Sequence, residues 1–149
     1  MPARLIDSAE ILSRRILVID DEEANVLLLR SLLEREGYAD IHGLTDPAQA
    51  LRAYVDLEPD LVLLDLMMPG VDGFQLLEAF ARHDRADEFR PVLVLTADTT
   101  VQARRRALAL GAKDFVSKPF DVIEVALRIS NLLETRILYE RCRRQPGEG

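Results

Sequence analysis

The 149-residue sequence predicts an α/β protein, a doubly wound sheet of about five parallel strands with helices on both faces. Three observations predict it. The apolar runs ILVID (16–20), LVLLD (61–65) and VLVLT (92–96) lack polar alternation, as strands do when both sheet faces are covered. Segments with helical spacing of apolar residues lie between them, punctuated by glycine and proline. Each run also ends in a polar, chemically competent residue, and a fourth short segment, DFVSKP, delivers Lys118. Parallel strands would bring all four endings to one edge of the sheet.

The elements follow in order. Residues 1–14 form a leader in which Leu5, Ile6, Ala9, Ile11 and Leu12 allow one or two amphipathic turns, either a frayed tail or a pad against the domain. After the strand at 16–20, a helix over about Glu23 to Glu36 carries Val26, Leu29, Leu32 and Leu33 and stops at Gly37. A short second strand spans 39–44. Asp46 suits an N-cap and Pro47 a first helical position, with Ala50, Leu51 and Tyr54 as the apolar side and Pro59 as the stop. LVLLD is the third strand. In the loop that follows, Pro69 and Gly70 make a tight turn, and Asp72 and Gly73 cap and open a helix over roughly 74–83. VLVLT is the fourth strand, a helix covers about 100–110 up to Gly111, and DFVS (114–117) is the fifth strand.

The last helix opens near Asp121. Its apolar pattern runs through Val122, Val125, Ala126, Ile129, Leu132 and Leu133 to Ile137, Leu138 and Tyr139. Unbroken to Arg144 it would span about 35 Å, roughly twice what a compact domain needs. The excess is expected to project as a stalk or pack on a partner, the alternative being an end that frays in solution, and Arg136 interrupts the heptad seam. The expected division is a leader (1–14), one main domain (15–130), an extension of the last helix serving as linker or dimerisation element (131–144), and a flexible tail (145–149).

Composition narrows the function. Hydrophobic residues make up 48%, which excludes a disordered chain. A net charge of −7 and a pI near 4.9 argue against a general nucleic-acid binder, and the Arg104-Arg105-Arg106 run suits solvent or an acidic protein surface. The single cysteine, Cys142, excludes an internal disulfide and a cysteine-based metal cluster. The first fifteen residues lack the apolar core of a signal peptide, and no apolar run nears the ~20 residues that cross a bilayer, so a cytoplasmic location is expected.

The strand endings define a candidate site. Asp20 and Asp21 follow the first strand, and like charges this close favour a cation between them. Carboxylate oxygens match Mg²⁺, and Asp65 at the end of a central strand would complete the set. Asp65 is the candidate nucleophile, because an aspartate carboxylate can accept a phosphoryl group as an acyl phosphate. Lys118 would pair first with the resting carboxylates and then with phosphoryl oxygens, and the Thr96 hydroxyl would hydrogen-bond one of them. The bland readings are a surface lysine and a strand-end threonine chosen for β propensity. Both weaken when the set is taken together.

These residues resemble the receiver domain of bacterial two-component response regulators, through IDDE (19–22), LLDLMMPGVDG (63–73), LTAD (95–98) and DFVSKPF (114–120). The resemblance covers about 15–135 and implies the flavodoxin-like strand order 2-1-3-4-5. It implies that Asp65 takes a phosphoryl group from a histidine of a sensor kinase or phosphotransfer protein. It implies that Asp21 and Asp65 ligate Mg²⁺ directly, with the Met67 backbone carbonyl, while Asp20 acts through water. Thr96 and Phe115 look like the family's switch pair, which remodels the face of the fourth helix, fifth strand and fifth helix. For Phe115 the alternative is plain core packing, since phenylalanine lacks the tyrosine hydroxyl. Met67 and Asp98 stand at the two positions that tune phosphoryl lifetime. Residues 124–142 resemble the exit helix of receivers joined to cyclic-di-GMP phosphodiesterase or diguanylate cyclase domains.

The leading expectation is a phosphorylatable regulatory module with weak self-phosphatase activity, forming a homodimer through the helix 4–strand 5–helix 5 face or the last helix, with no direct DNA or membrane binding and with an output domain beyond residue 149 as a further possibility. Two other classes compete. One is a receiver fold used for structure or dimerisation without phosphorylation, against which the intact set of Asp20, Asp21, Asp65, Thr96 and Lys118 argues. The other is a small α/β enzyme, such as a Mg²⁺-dependent phosphatase or a flavin-binding protein, and no glycine-rich phosphate loop follows the first strand.

Overall fold

The computed structural model describes residues 6–144. In chain order the elements are α1 (Ser8–Leu12), β1 (Ile16–Ile19), α2 (Glu23–Glu36), β2 (Ile41–Leu44), α3 (Ala50–Leu57) after a 3-10 turn at Pro47–Gln49, and β3 (Leu61–Leu64). The two-residue strands β4 (Met67–Met68) and β5 (Val71–Asp72) follow. Then come α4 (Gly73–His83), β6 (Val92–Thr96), α5 (Val101–Ala109), β7 (Asp114–Ser117) and α6 (Val122–Arg144). The main sheet is parallel in the order β2-β1-β3-β6-β7. With the β4–β5 ribbon set aside, this is the expected 2-1-3-4-5 order of a doubly wound α/β fold. The leader helix and the ribbon shift the numbering, so the expected helix 4–strand 5–helix 5 face is α5–β7–α6.

Local chemistry sets the boundaries. Asp46, Asp72 and Thr100 each cap a helical segment by accepting a hydrogen bond from a backbone amide of the first turn. Gly70, at φ 76°, turns the chain between β4 and β5 where a side chain would be strained. The all-apolar strands β1, β3 and β6 are buried throughout, and they split one sheet between two cores. Ile16, Val18, Leu61, Leu63, Leu93 and Leu95 face α1, α2 and α6. Leu17, Ile19, Val62, Leu64, Val92 and Val94 face α3, α4 and α5. Each such side chain contributes about 1.5–3 kcal/mol by leaving water.

Three details depart from the sequence reading. Leu51, expected on the apolar side of α3, is exposed, and Ala50 and Tyr54 carry that side with Ala53 and Leu57 packed against the same core. Ala9 is exposed in the leader, whereas Ile6 and Ile11 enter the core, so the described part of the leader is a pad and not a frayed tail. Leu5 and the tail at 145–149 lie outside the described residues. Most telling, α6 is continuous to Arg144 as expected, yet its second half does not stand clear of the domain. Leu133 and Ile137 are fully buried in the same core as Val125 and Ile129. Arg136, which breaks the heptad, is buried too. Its Nε donates to Asp60 at 2.7 Å and its guanidinium also donates to the Phe89 carbonyl at 2.6 Å. Asp60, just before β3, further pairs with Arg14 at 3.4 Å and accepts from the Arg15 amide at 2.9 Å. Arg141 reaches Glu10 of α1, and Arg143 reaches Asp87 at 2.8 Å. Among the described residues, no helix is long and apolar enough to cross a membrane.

At the opposite end from the carboxyl edge, Tyr54 stacks on Phe80 at 4.2 Å and donates to Asp84 at 2.5 Å. Burial, then the hydrogen bond to Asp84 and its charge, push the phenol pKa above the usual tyrosine range. A phenol that resists ionisation only when folded stabilises the protein below about pH 10, the unfolded value, and that contribution is lost as pH rises further. Tyr54→Phe is expected to cost about 1 kcal/mol at neutral pH and to flatten the alkaline decline of wild type. Urea unfolding at neutral pH and above about pH 10 checks both.

Candidate functional site

The carboxyl ends of β1, β3, β6 and β7 deliver the candidate residues. Asp20 follows β1, Asp65 follows β3, Thr96 ends β6, and Lys118 follows β7. Backbone bonds set the strand ends: the Asp65 amide donates to the Ile19 carbonyl at 3.1 Å and the Lys118 amide to the Thr96 carbonyl at 2.8 Å. Lys118 Nζ donates to Asp20 Oδ2 at 2.8 Å and to Asp65 Oδ2 at 3.1 Å, joining residues 98 and 53 positions apart. The Lys118–Pro119 peptide is cis. Burial alone would lower the lysine pKa, but the hydrogen bonds to Asp20 and Asp65, with their charges, outweigh it, so the ammonium is held above the ordinary lysine value.

Asp20, Asp21 and Asp65 bring carboxylate oxygens within 4.8 Å of one another. Asp20 and Asp65 are nearly buried, 2% and 7% exposed, and Asp21 is half-buried. Three formal negative charges against the one ammonium of Lys118 leave two uncompensated, the charge of one divalent cation. Hard oxygen donors in this number fit Mg²⁺, which takes one or two carboxylates and keeps waters. The donor set therefore suits the cation expected from the sequence.

The remaining candidates are placed as follows. Thr96 is fully buried, and its hydroxyl accepts from the Asp98 amide at 3.3 Å. Phe115 pairs in register with Val94, and its ring is buried, 8% exposed, in the core shared with α4 and α5. Met67 is exposed, beside the acceptor candidate. Its amide, which the sequence reading did not consider, donates to Asp65 Oδ1 at 3.0 Å. Likewise the Glu22 amide donates to Asp20 Oδ1 at 3.0 Å. Both are Asx turns, legible in principle from an aspartate at a strand end. Of the arginine run, Arg106 lies over the Phe74 ring at 4.2 Å and reaches Asp72 at 4.0 Å.

The fold is a doubly wound sheet with paired acids, a third aspartate, a threonine and a lysine at its carboxyl edge, the arrangement of an α/β signalling module. The chain belongs to the response regulator receiver domain family, whose model matches residues 16–130. The DNA-binding dual master transcriptional regulator RpaA of Synechocystis sp. is 41% identical over 119 residues, 80% of this chain and 48% of its own length. Response regulator PleD of Caulobacter vibrioides is 36% identical over 138 residues, 93% of this chain and 30% of its own. The chain thus spans half or less of the length of these relatives. Among solved structures, the receiver domain of the Francisella response regulator 1452 superposes with a TM-score of 0.73 at 27% identity, covering 84% of this chain and 99% of that one. A chain of the CheX–CheY–BeF3–Mg²⁺ complex from Borrelia burgdorferi gives 0.73 at 28% identity, covering 80% and 88%. As a receiver domain the chain is a component of two-component signalling.

Proposed function

We propose that Asp65 is the phosphoacceptor of a two-component response regulator, a cytoplasmic protein served by a sensor histidine kinase or a histidine phosphotransfer protein. One observation carries the reading: Lys118 bridges Asp20 and Asp65 while Asp21 brings a third carboxylate within 4.8 Å. An Asp65 carboxylate oxygen attacks the phosphorus of a phosphohistidine. The O–P bond forms as the P–N bond breaks, and the imidazole nitrogen leaves with the electron pair and takes up a proton. Asp20, Asp21 and Asp65, with the Met67 carbonyl, would hold Mg²⁺, which would supply charge neutralisation for the transferred group. Lys118 exchanges a carboxylate partner for a phosphoryl oxygen, and Thr96 offers its hydroxyl to another. The Borrelia complex, described with BeF3 and Mg²⁺, is a related case of the same pairing of anion and cation.

The output is a two-state change of the α5–β7–α6 face, biased by the new charge through Thr96 and Phe115. Partners are a second copy through this face or α6, and an output domain beyond residue 149. At a net charge of −7, direct DNA contact by these residues is not part of the reading. Met67 offers no side-chain hydrogen bond strong enough to orient an attacking water. Met67→Asn is therefore expected to shorten the phosphoryl half-life, read as decay of the modified mass with time. An unchanged or longer half-life counts against this role. Beryllofluoride with Mg²⁺ tests the main reading. Amide resonances of Thr96, Phe115 and the α5–β7–α6 face should shift in wild type and stay fixed in Asp65→Asn. Shifts in both proteins, or in neither, contradict it.

A further inference from the structure

We propose that Gly73 is a positioning residue for Asp65, acting through the single peptide unit that joins Leu66 to Met67. This inference rests on the phosphoacceptor reading of Asp65. The two oxygens of that carboxylate are held by different donors. Lys118 takes Oδ2, and the Met67 amide takes Oδ1 at 3.0 Å. The Met67 N–H belongs to the same rigid plane as the Leu66 carbonyl, so tilting one moves the other. Gly73, the first residue of α4, is buried directly against that plane. A Cβ at Gly73 would lie 2.6 Å from Leu66 Cα, 2.8 Å from its carbonyl oxygen and 3.0 Å from its carbonyl carbon. All three contacts are backbone, so no side chain can rotate away to make room.

The surroundings leave little relief. Met67 and Met68 pair with Asp72 and Val71 in the β4–β5 ribbon, which fixes the return of the loop. Asp72 is tied to α4 by its cap on the Phe74 amide at 2.9 Å. On the other side the Asp65 amide is bound to Ile19 in the sheet, and the Leu66 side chain is buried in the core. A methyl group at position 73 therefore pushes the Leu66–Met67 plane, and with it the donor that aims Oδ1. The bare α-carbon lets the acceptor loop close to the geometry in which the free lone pairs of Asp65 face the Asp20–Asp21 side. A misplacement on the scale of 1 Å can cost on the order of 100-fold in rate.

Acetyl phosphate with Mg²⁺ is the probe, and Gly43→Ala is the control. A Cβ at Gly43 would meet Val26 Cγ1 at 2.5 Å, a steric insult in the β2–α2 packing, on a strand that β1 separates from the one leading to Asp65. Gly73→Ala is expected to slow phosphoryl uptake at saturating acetyl phosphate roughly 10- to 100-fold, while Gly43→Ala stays within about twofold of wild type even where its thermal midpoint falls as far. The Met67 amide, held on Asp65 Oδ1 at 3.0 Å in wild type, should exchange with solvent faster in Gly73→Ala. Met67→Pro removes the same N–H without bulk at position 73 and should show the same loss of rate, which keeps the inference testable where Gly73→Ala does not fold. Uptake near the wild-type rate in folded Gly73→Ala overturns the inference, as does a wild-type rate in Met67→Pro or an equal loss in Gly43→Ala. Wild type that accepts no phosphoryl group overturns the phosphoacceptor reading instead, and exchange of the Met67 amide then decides alone, an unchanged rate in Gly73→Ala overturning the inference.

Discussion

Lys118→Met loses about 3 kcal/mol of stability in magnesium-free buffer and regains a large share when Mg²⁺ is added. The expectation follows from what the ammonium touches. Its two partners, Asp20 at 2.8 Å and Asp65 at 3.1 Å, are almost fully buried, and the lysine side chain itself is only 17% exposed. Solvent screening therefore discounts the pair little. Removing the lysine leaves two carboxylates facing each other and a third within reach, the arrangement in which an unpaired charge is most costly. Mg²⁺ binds only the folded cluster and should offset the repulsion, more in the variant than in wild type. The same substitution removes a phosphoryl partner, so uptake should fall on the order of 100-fold. Urea unfolding with and without Mg²⁺ reads the first effect. A loss below about 1 kcal/mol, or no extra recovery with the cation, would mean that the three acids do not share one pocket.

Arg136→Ala is expected to cost about 2–3 kcal/mol and to quicken amide exchange over the second half of α6. Arg136 is 9% exposed and holds the Asp60 carboxylate and the Phe89 carbonyl, at 2.7 and 2.6 Å. Asp60 keeps Arg14 and the Arg15 amide after the change, which is why the cost stays below that of a fully orphaned charge. The Phe89 carbonyl loses this donor. The two flanks of the chain outside the family match, residues 6–15 and 131–144, meet at this hub and at the Arg141–Glu10 pair. A helix end standing clear as a stalk would lose nothing measurable on truncating Arg136, so urea unfolding separates the two pictures. The clamped arrangement also means that a chain continuing from α6 would leave the domain along a direction set by its own core.

The parallel sheet was legible because its central strands β1, β3 and β6 are unbroken apolar runs, whereas the strand order came from the family resemblance. Asp20, Asp65 and Lys118 were legible because a carboxyl-edge location turns distant sequence positions into neighbours. What escaped the sequence reading lies where backbone does the work. The Met67 and Glu22 amides are signalled only by the aspartate two positions before each, and Gly73 reads as an ordinary helix opener until the Leu66 backbone is seen against it. The packing of the last helix on its own domain was not legible for a different reason. Arg136 at a seam position reads as a defect in a dimer interface. It is instead the anchor of an intramolecular one, a distinction that depends on Asp60, 76 residues away. Leu51 was assigned inward by spacing alone, and the 3-10 turn at Pro47–Gln49 accompanies its turn toward solvent.

Intact-mass measurement after acetyl phosphate and Mg²⁺, on wild type beside Asp65→Asn, puts the central claim to its most direct trial. Wild type should gain the mass of one phosphoryl group, lose it again on standing, and fail to gain it when the cation is chelated, while Asp65→Asn stays unmodified. Equal modification of both proteins, or an unmodified wild type under these conditions, would contradict the account.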